Sequence, residues 1–112
     1  MSDALKFNVR DAFGQWLCPA CGYPGYSAEP AYDERRGLAG TTICPCCMWE
    51  PGFDDEPAAS ARAEKTILAS LRRYRSGWDD KALWSGRSVD CPTGWDGAEQ
   101  LRRLFEVAPQ VR

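Results

Sequence analysis

Two cysteine hooks constrain this chain more than any other feature: Cys18-Pro19-Ala20-Cys21-Gly22 and Cys44-Pro45-Cys46-Cys47. In each hook two cysteines flank two other residues, so both sulfurs reach one ion. Four thiolates from two such hooks close a tetrahedral site, the preferred arrangement of structural zinc. The stretch between Cys21 and Cys44 runs only about two residues beyond the usual spacing of paired C-x-x-C hooks. Proline after the first cysteine presets each turn, and Gly22 accepts the positive φ that turns backbone N–H groups toward sulfur. The expected ligands are therefore Cys18, Cys21, Cys44 and Cys47, around zinc or, by the same geometry, iron. Cys46, the middle residue of its hook, is expected at an exposed tip. A dianionic metal centre beside it raises its pKa and leaves it a bystander thiol.

The chain has 112 residues, a length that predicts a single domain spanning 1–112. Ten glycines and eight prolines concentrate turns in the first half, and a loop-rich half of this kind needs a staple. No signal-peptide-like apolar run is present, and nothing approaches the roughly 20 apolar residues of a membrane span. The sequence thus predicts a cytoplasmic protein with no membrane partner, where thiols stay reduced and disulfides are not expected. There is no histidine, which removes mixed Cys/His ligation and any Cys-His or Ser-His dyad from this chain's own residues. The formal charge is −2, and a zinc held by four thiolates takes it to about −4. Charge is split along the chain. Up to Ser60 there are four basic residues against nine acidic, and after it ten against seven.

Lys6 to Arg10 alternates around Phe7 and Val9 as an edge strand does. Gln15-Trp16-Leu17 and Thr41-Thr42-Ile43 lead into the two hooks and are both β-prone, which predicts that they pair with each other as the strands of a ribbon. Tyr23 to Ala39 reads as short strands and loops. After the second hook, Trp49 and Phe53 are expected to cover it. Glu50, Asp54, Asp55 and Glu56 then meet Pro57, an acidic cap on a helix that starts there. That helix runs to about Ser76, with Ala63, Ile67, Leu68, Leu71 and Tyr74 on its buried face and Arg62, Lys65, Arg72 and Arg73 opposite. Gly77 stops it. In the connection that follows, Asp79-Asp80 caps a short turn, and Leu83, Trp84 and Val89 are expected anchors. Asp96 and Glu99 form a capping-box-like pair for a second helix with Leu101, Leu104, Phe105 and Ala108 on its stripe, closed by Pro109. Cys91, in Asp90-Cys91-Pro92, is read as a packed thiol.

The segment Cys44-Pro45-Cys46-Cys47-Met48-Trp49-Glu50, preceded by a hook and an aromatic-rich loop, resembles the cysteine-rich CPCC family of small bacterial proteins. That family has a C-P-C-C-G first hook followed by C-P-x-C-x-W-E. Here the first hook is Cys-Pro-Ala-Cys and the additional cysteine has moved to Cys46. The resemblance covers about a third of the chain and implies a ribbon fold. The hooks are also similar to rubredoxin, although the place of rubredoxin's second hook glycine is taken by Met48.

These readings combine into a small α+β metal-bound domain. Zinc-ribbon or rubredoxin-like β hooks over 15–56 pack against two C-terminal helices over 57–108. The expected function is non-enzymatic: a zinc-ribbon protein that works by binding another protein, as an adaptor or an immunity-type neutraliser. The alternatives are an iron-bearing, rubredoxin-like electron carrier and a nucleic-acid-binding ribbon using Arg62, Lys65, Arg72, Arg73 and Arg75. A pI near 5.1 and the acidic hook half oppose the last.

Overall fold

The structure, a computed structural model, describes residues 6–33, 38–39, 43–50, 64–78 and 84–112. The described residues include four two-residue strands and two α-helices: β1 (Val9–Arg10), β2 (Trp16–Leu17), β3 (Tyr32–Asp33), β4 (Leu38–Ala39), α1 (Glu64–Ser76) and α2 (Gly97–Val107). Strands β1 and β2 form one antiparallel pair and β3 and β4 another. Together with the clustered cysteines described below, this is a small α+β domain of the kind that holds a metal.

The strand entering the first hook does not pair as its sequence equivalence predicts. β2 pairs with β1, Val9 opposite Leu17 and Arg10 opposite Trp16. The reason is local. Asp11 Oδ1 accepts the amides of Phe13 and Gln15, Asp11 N–H donates to Gln15 O, and Gly14 takes a φ of 82°. A turn so fully specified in sequence closes the nearest hairpin at minimal loop-closure cost. Of the expected partner strand, Thr41 and Thr42 lie outside the described residues, and Ile43 is exposed and in no strand. The hairpin is joined to β3 by a side chain: Asn8 donates from Nδ2 to Tyr32 O at 2.8 Å and accepts Tyr32 N–H at 2.9 Å. One amide group thus imitates a rung of sheet.

α1 ends at Ser76, immediately before Gly77, as its sequence predicts. Ile67 and Leu71 are buried on its inner face, Leu68 and Tyr74 are half-buried against the core, and Arg72 and Arg73 face outward. The expected start at Pro57, the acidic run Asp54-Asp55-Glu56, Phe53, Arg62, Ala63, Asp79-Asp80 and Leu83 all lie outside the described residues. α2 begins at its expected cap, with Asp96 accepting the Glu99 amide at 3.1 Å while the Glu99 carboxylate turns to Arg102, and ends at Val107 with Ala108 as its cap before Pro109. Leu104 and Ala108 are buried, while Leu101 and Phe105 pack half-buried against the same core. Val89 is no anchor, being 80% exposed. Trp84 is one. It meets Tyr23 and Trp95 edge to face, with ring centroids 5.5 and 5.3 Å away.

Buried residues from both halves make one core: Phe7, Val9, Leu17, Tyr32 and Trp49 with Ile67, Leu71, Leu104 and Val111. Burying each large side chain contributes about 1.5–3 kcal/mol relative to exposure. α2 packs against the first hook at Gly22, whose φ is 85° and where an added Cβ would stand 2.8 Å from Leu104 Cβ. A side chain there meets both a disfavoured backbone and a packed helix. Gly22→Ala is expected to destabilise the fold by about 2–4 kcal/mol, measured by thermal or urea unfolding of the metal-loaded protein. A loss below about 0.5 kcal/mol would show that the helix and hook do not meet as described.

Candidate metal centre

The two hooks are the same turn made twice. In the first, Gly22 N–H donates to Cys18 O at 2.7 Å and Cys18 N–H to Tyr23 O at 3.2 Å. In the second, Met48 N–H donates to Cys44 O at 2.8 Å and Cys44 N–H to Trp49 O at 2.9 Å. Each hook then reverses through a left-handed residue directly after its second cysteine, Gly22 at φ 85° and Met48 at φ 68°. Met48 is the only non-glycine residue with positive φ among the described residues. It stands where the repeated turn requires the conformation that glycine adopts freely.

Facing turns bring Cys18, Cys21, Cys44 and Cys47 together, with all four sulfurs within 4.8 Å of one another and all four residues buried. Two sulfur–sulfur distances are 3.8 Å (Cys18 to Cys47) and 3.7 Å (Cys21 to Cys44). A tetrahedron with metal–sulfur bonds of about 2.3 Å has sulfur–sulfur edges of about 3.8 Å, so the cluster fits a metal of zinc's bond length. The six cysteines are free thiols. The cluster is made of the first and last cysteine of each hook and includes Cys47 rather than Cys46.

Without a cation these thiols cannot all ionise. Burial first, then hydrogen bonds with the other cysteines, pushes the Cys21 thiol well above its usual range. Sharing a proton with Cys18, together with burial, pushes Cys47 up. Cys44 is held down by the thiols of Cys18, Cys21 and Cys47 that donate to it. A divalent cation relieves this crowding by offsetting the charge of buried thiolates.

The second half of the chain satisfies the hooks' carbonyl groups. Consecutive residues of α1 take one hook each. Tyr74 Oη donates to Cys47 O, while Arg75 donates from Nε to Ala20 O at 2.7 Å and from Nη2 to Pro19 O. A third Arg75 bond, from Nη1, reaches Val111 O at 2.6 Å, and Phe105 lies under the guanidinium at 4.9 Å. Burial lowers the Arg75 pKa to about 10, and the sulfurs of Cys18, Cys21 and Cys47 pull the other way. The cation is held beside the sulfur cluster, where its sign opposes the charge of a four-thiolate metal site.

From α2, Gln100 bridges both hooks by donating Nε2 to Cys21 O at 3.1 Å and to Cys46 Sγ at 3.6 Å. Its own Oε1 is fixed by Trp95 Nε1 at 3.0 Å. The amides of Ser85 and Gly86 donate to Cys46 O at 2.8 and 3.2 Å. The chain passes so close there that a Cβ on Gly86 would overlap Pro45 O at 1.8 Å.

Two expectations need correcting. Cys46 is not an exposed tip, since it is 1% exposed beneath the 85–86 segment and Gln100. Among the free thiols, hydrogen bonds from Cys21 and then Gln100 hold its pKa below the usual thiol range against burial. Arg75 is not part of a basic outer face. It sits four and eight residues after Leu71 and Ile67, on the buried stripe, a signal readable from spacing. Gln100 went unnoticed although it lies four and eight residues before Leu104 and Ala108, on the buried stripe of α2. Trp49 is fully buried in the same core as the hook cysteines, and Cys91 is half-buried with its sulfur 3.8 Å from Pro92 O.

Cys21→Ser is expected to lose the metal, and Cys46→Ser to keep one metal per chain, by elemental analysis of purified protein. Metal loss by Cys46→Ser with retention by Cys47→Ser would reverse the ligand assignment. Met48→Gly removes a strained backbone and, because Met48 is half exposed, sacrifices little packing. It is expected to stabilise the fold by about 0.5–1 kcal/mol, seen as a higher thermal midpoint with unchanged metal content.

Compared with known proteins, the chain matches no family model and no solved structure. It is similar to the uncharacterized protein YozI of Bacillus subtilis (strain 168), at 26% identity over 96 residues that cover 82% of this chain and 78% of that protein.

Proposed function

We propose that the chain is a non-enzymatic zinc-ribbon protein in which Cys18, Cys21, Cys44 and Cys47 hold one structural zinc ion and the surface binds another protein. The observation that carries this reading is closure. The four sulfurs are buried and match in number the positions of a tetrahedral zinc, the ligation typical of structural sites, and the hook carbonyls are taken by Tyr74, Arg75 and Gln100. A closed four-sulfur site stiffens a scaffold, and a stiff scaffold of this size acts through its surface. The CPCC resemblance of Cys44–Glu50 supports a ribbon, and the acidic first half supports a binding role as adaptor or immunity-type neutraliser. Reduced, metal-held thiols suit the cytoplasm.

A nucleic-acid role loses its best-placed cation, since Arg75 is spent on Pro19, Ala20 and Val111. Among the described residues no helix is long and apolar enough to cross a membrane. The iron-bearing electron carrier would use the same sulfur cage, and colour separates the two metals: the zinc protein is colourless, the iron protein red.

We further propose that 1–112 folds as one cooperative unit with the metal at its centre. A strong chelator is expected to abolish helical circular dichroism and shift tryptophan fluorescence in a single transition. Acid is expected to do the same. Zinc needs all four sulfurs deprotonated, so its stabilisation is complete at high pH and is lost as falling pH lets protons compete. Helical signal that survives chelation while fluorescence changes would divide the chain into two units, and one zinc per chain is the stoichiometry required.

A further inference from the structure

A groove of about 520 Å³ runs between the β1–β2 turn and α2, outside the metal centre. Its floor is apolar, with Leu17, Tyr23, Trp95 and Leu104 among its walls. Two large apolar side chains on its lining are largely exposed, Phe13 at 89% and Val107 at 54%. Phe13 is not exposed by slackness. Asp11 fixes its amide and that of Gln15, so the ring is presented from a rigid turn and little ordering cost falls on binding. The charged groups lining the groove are Asp11, Asp96, Glu99 and Arg103, three carboxylates against one guanidinium. Glu99 is shared by Arg102 at 2.9 Å and Arg103 at 3.4 Å, whereas Asp11 and Asp96 accept only backbone amides among the described residues. The apolar floor therefore lies under a net negative rim.

We propose that this groove docks an aromatic or aliphatic side chain from a partner protein segment that carries lysine or arginine on both sides of it. The apolar anchor fills the space between Phe13 and Val107, and the flanking cations meet Asp11 and Asp96. This deepens, and rests on, the protein-binding reading above. An anionic or uncharged segment gains the same apolar burial without the rim's attraction, so charge selects among apolar anchors.

Two tripeptides test it on metal-loaded, isotopically labelled protein: acetyl-Lys-Trp-Lys-amide and acetyl-Glu-Trp-Glu-amide. The cationic peptide is expected to shift the amides of Phe13, Gly22, Trp95 and Val107 saturably. Its affinity should exceed that of the anionic peptide by about tenfold at low ionic strength, with the difference shrinking in high salt. Phe13→Ser, at an exposed site, is expected to weaken it by about tenfold or more with metal content unchanged. Asp11→Asn with Asp96→Asn keeps both turn and cap acceptors while removing two charges, and is expected to erase the preference between the peptides. Equal affinities, a preference for the anionic peptide, shifts elsewhere on the molecule, or no saturable shift each overturn the proposal. So does a captured native partner that binds Phe13→Ser as well as the parent. That last result would leave the protein-binding reading standing and place its surface elsewhere.

Discussion

Four sulfur atoms buried within 4.8 Å of one another are the constraint on which the rest of the structure depends. Thiols this close and this dry cannot carry four charges, and as neutral groups they make weak hydrogen bonds for so much buried polar surface. A divalent metal held by the four sulfurs would resolve both difficulties and tie two short turns that have little apolar material of their own. The cost is geometric. Each hook must curl so tightly that its own amides bond within the turn, which leaves the carbonyls of Pro19, Ala20, Cys21, Cys46 and Cys47 pointing away and in need of donors.

The second half of the chain supplies those donors with little waste. Tyr74 and Arg75, neighbours in sequence, reach different hooks because successive residues on a helix point about 100° apart. Gln100 takes one carbonyl and one sulfur, and the backbone of Ser85 and Gly86 closes the last gap. Arg75 carries the electrostatic consequence. A buried guanidinium beside neutral carbonyls alone would be costly, but beside a metal tetrathiolate it is a counter-charge. Helices and hooks are thus mutually dependent: the helices cover groups the hooks cannot satisfy, and the metal site justifies a cation the helices bury.

How much of this was legible in the sequence follows from the range of each signal. The two hooks and the glycine that ends the first are short-range facts of spacing, and the structure brings the four expected cysteines together. The α2 cap at Asp96 and the stops after Ser76 and Val107 are equally local. Strand pairing was misread because equivalence between two hooks is a symmetry argument, whereas Asp11 and Gly14 specify a nearer hairpin. Cys46 was misplaced because nothing around residue 46 reveals that residues 85, 86 and 100 will lie on top of it. Arg75 and Gln100 carried a readable signal, their place on a buried stripe, that residue type obscured. A charged or amide side chain on an apolar face is a prompt to look for buried carbonyls.

The metal centre and the groove are not separate features, since they share walls. Leu17 and Tyr23 flank the first hook, Gly22 ends it, and all three line the groove. Gln100 and Leu104 line it too, while Gln100 holds Cys21 O and Leu104 fills the space opposite Gly22. A change in the first hook therefore moves the floor of the groove directly, through packed atoms and one hydrogen bond rather than through a distant relay. The aromatic series Tyr23, Trp84 and Trp95 extends the same coupling to the segment that covers Cys46. Closure of the sulfur cluster and shape of the surface beside it are then two consequences of one set of contacts.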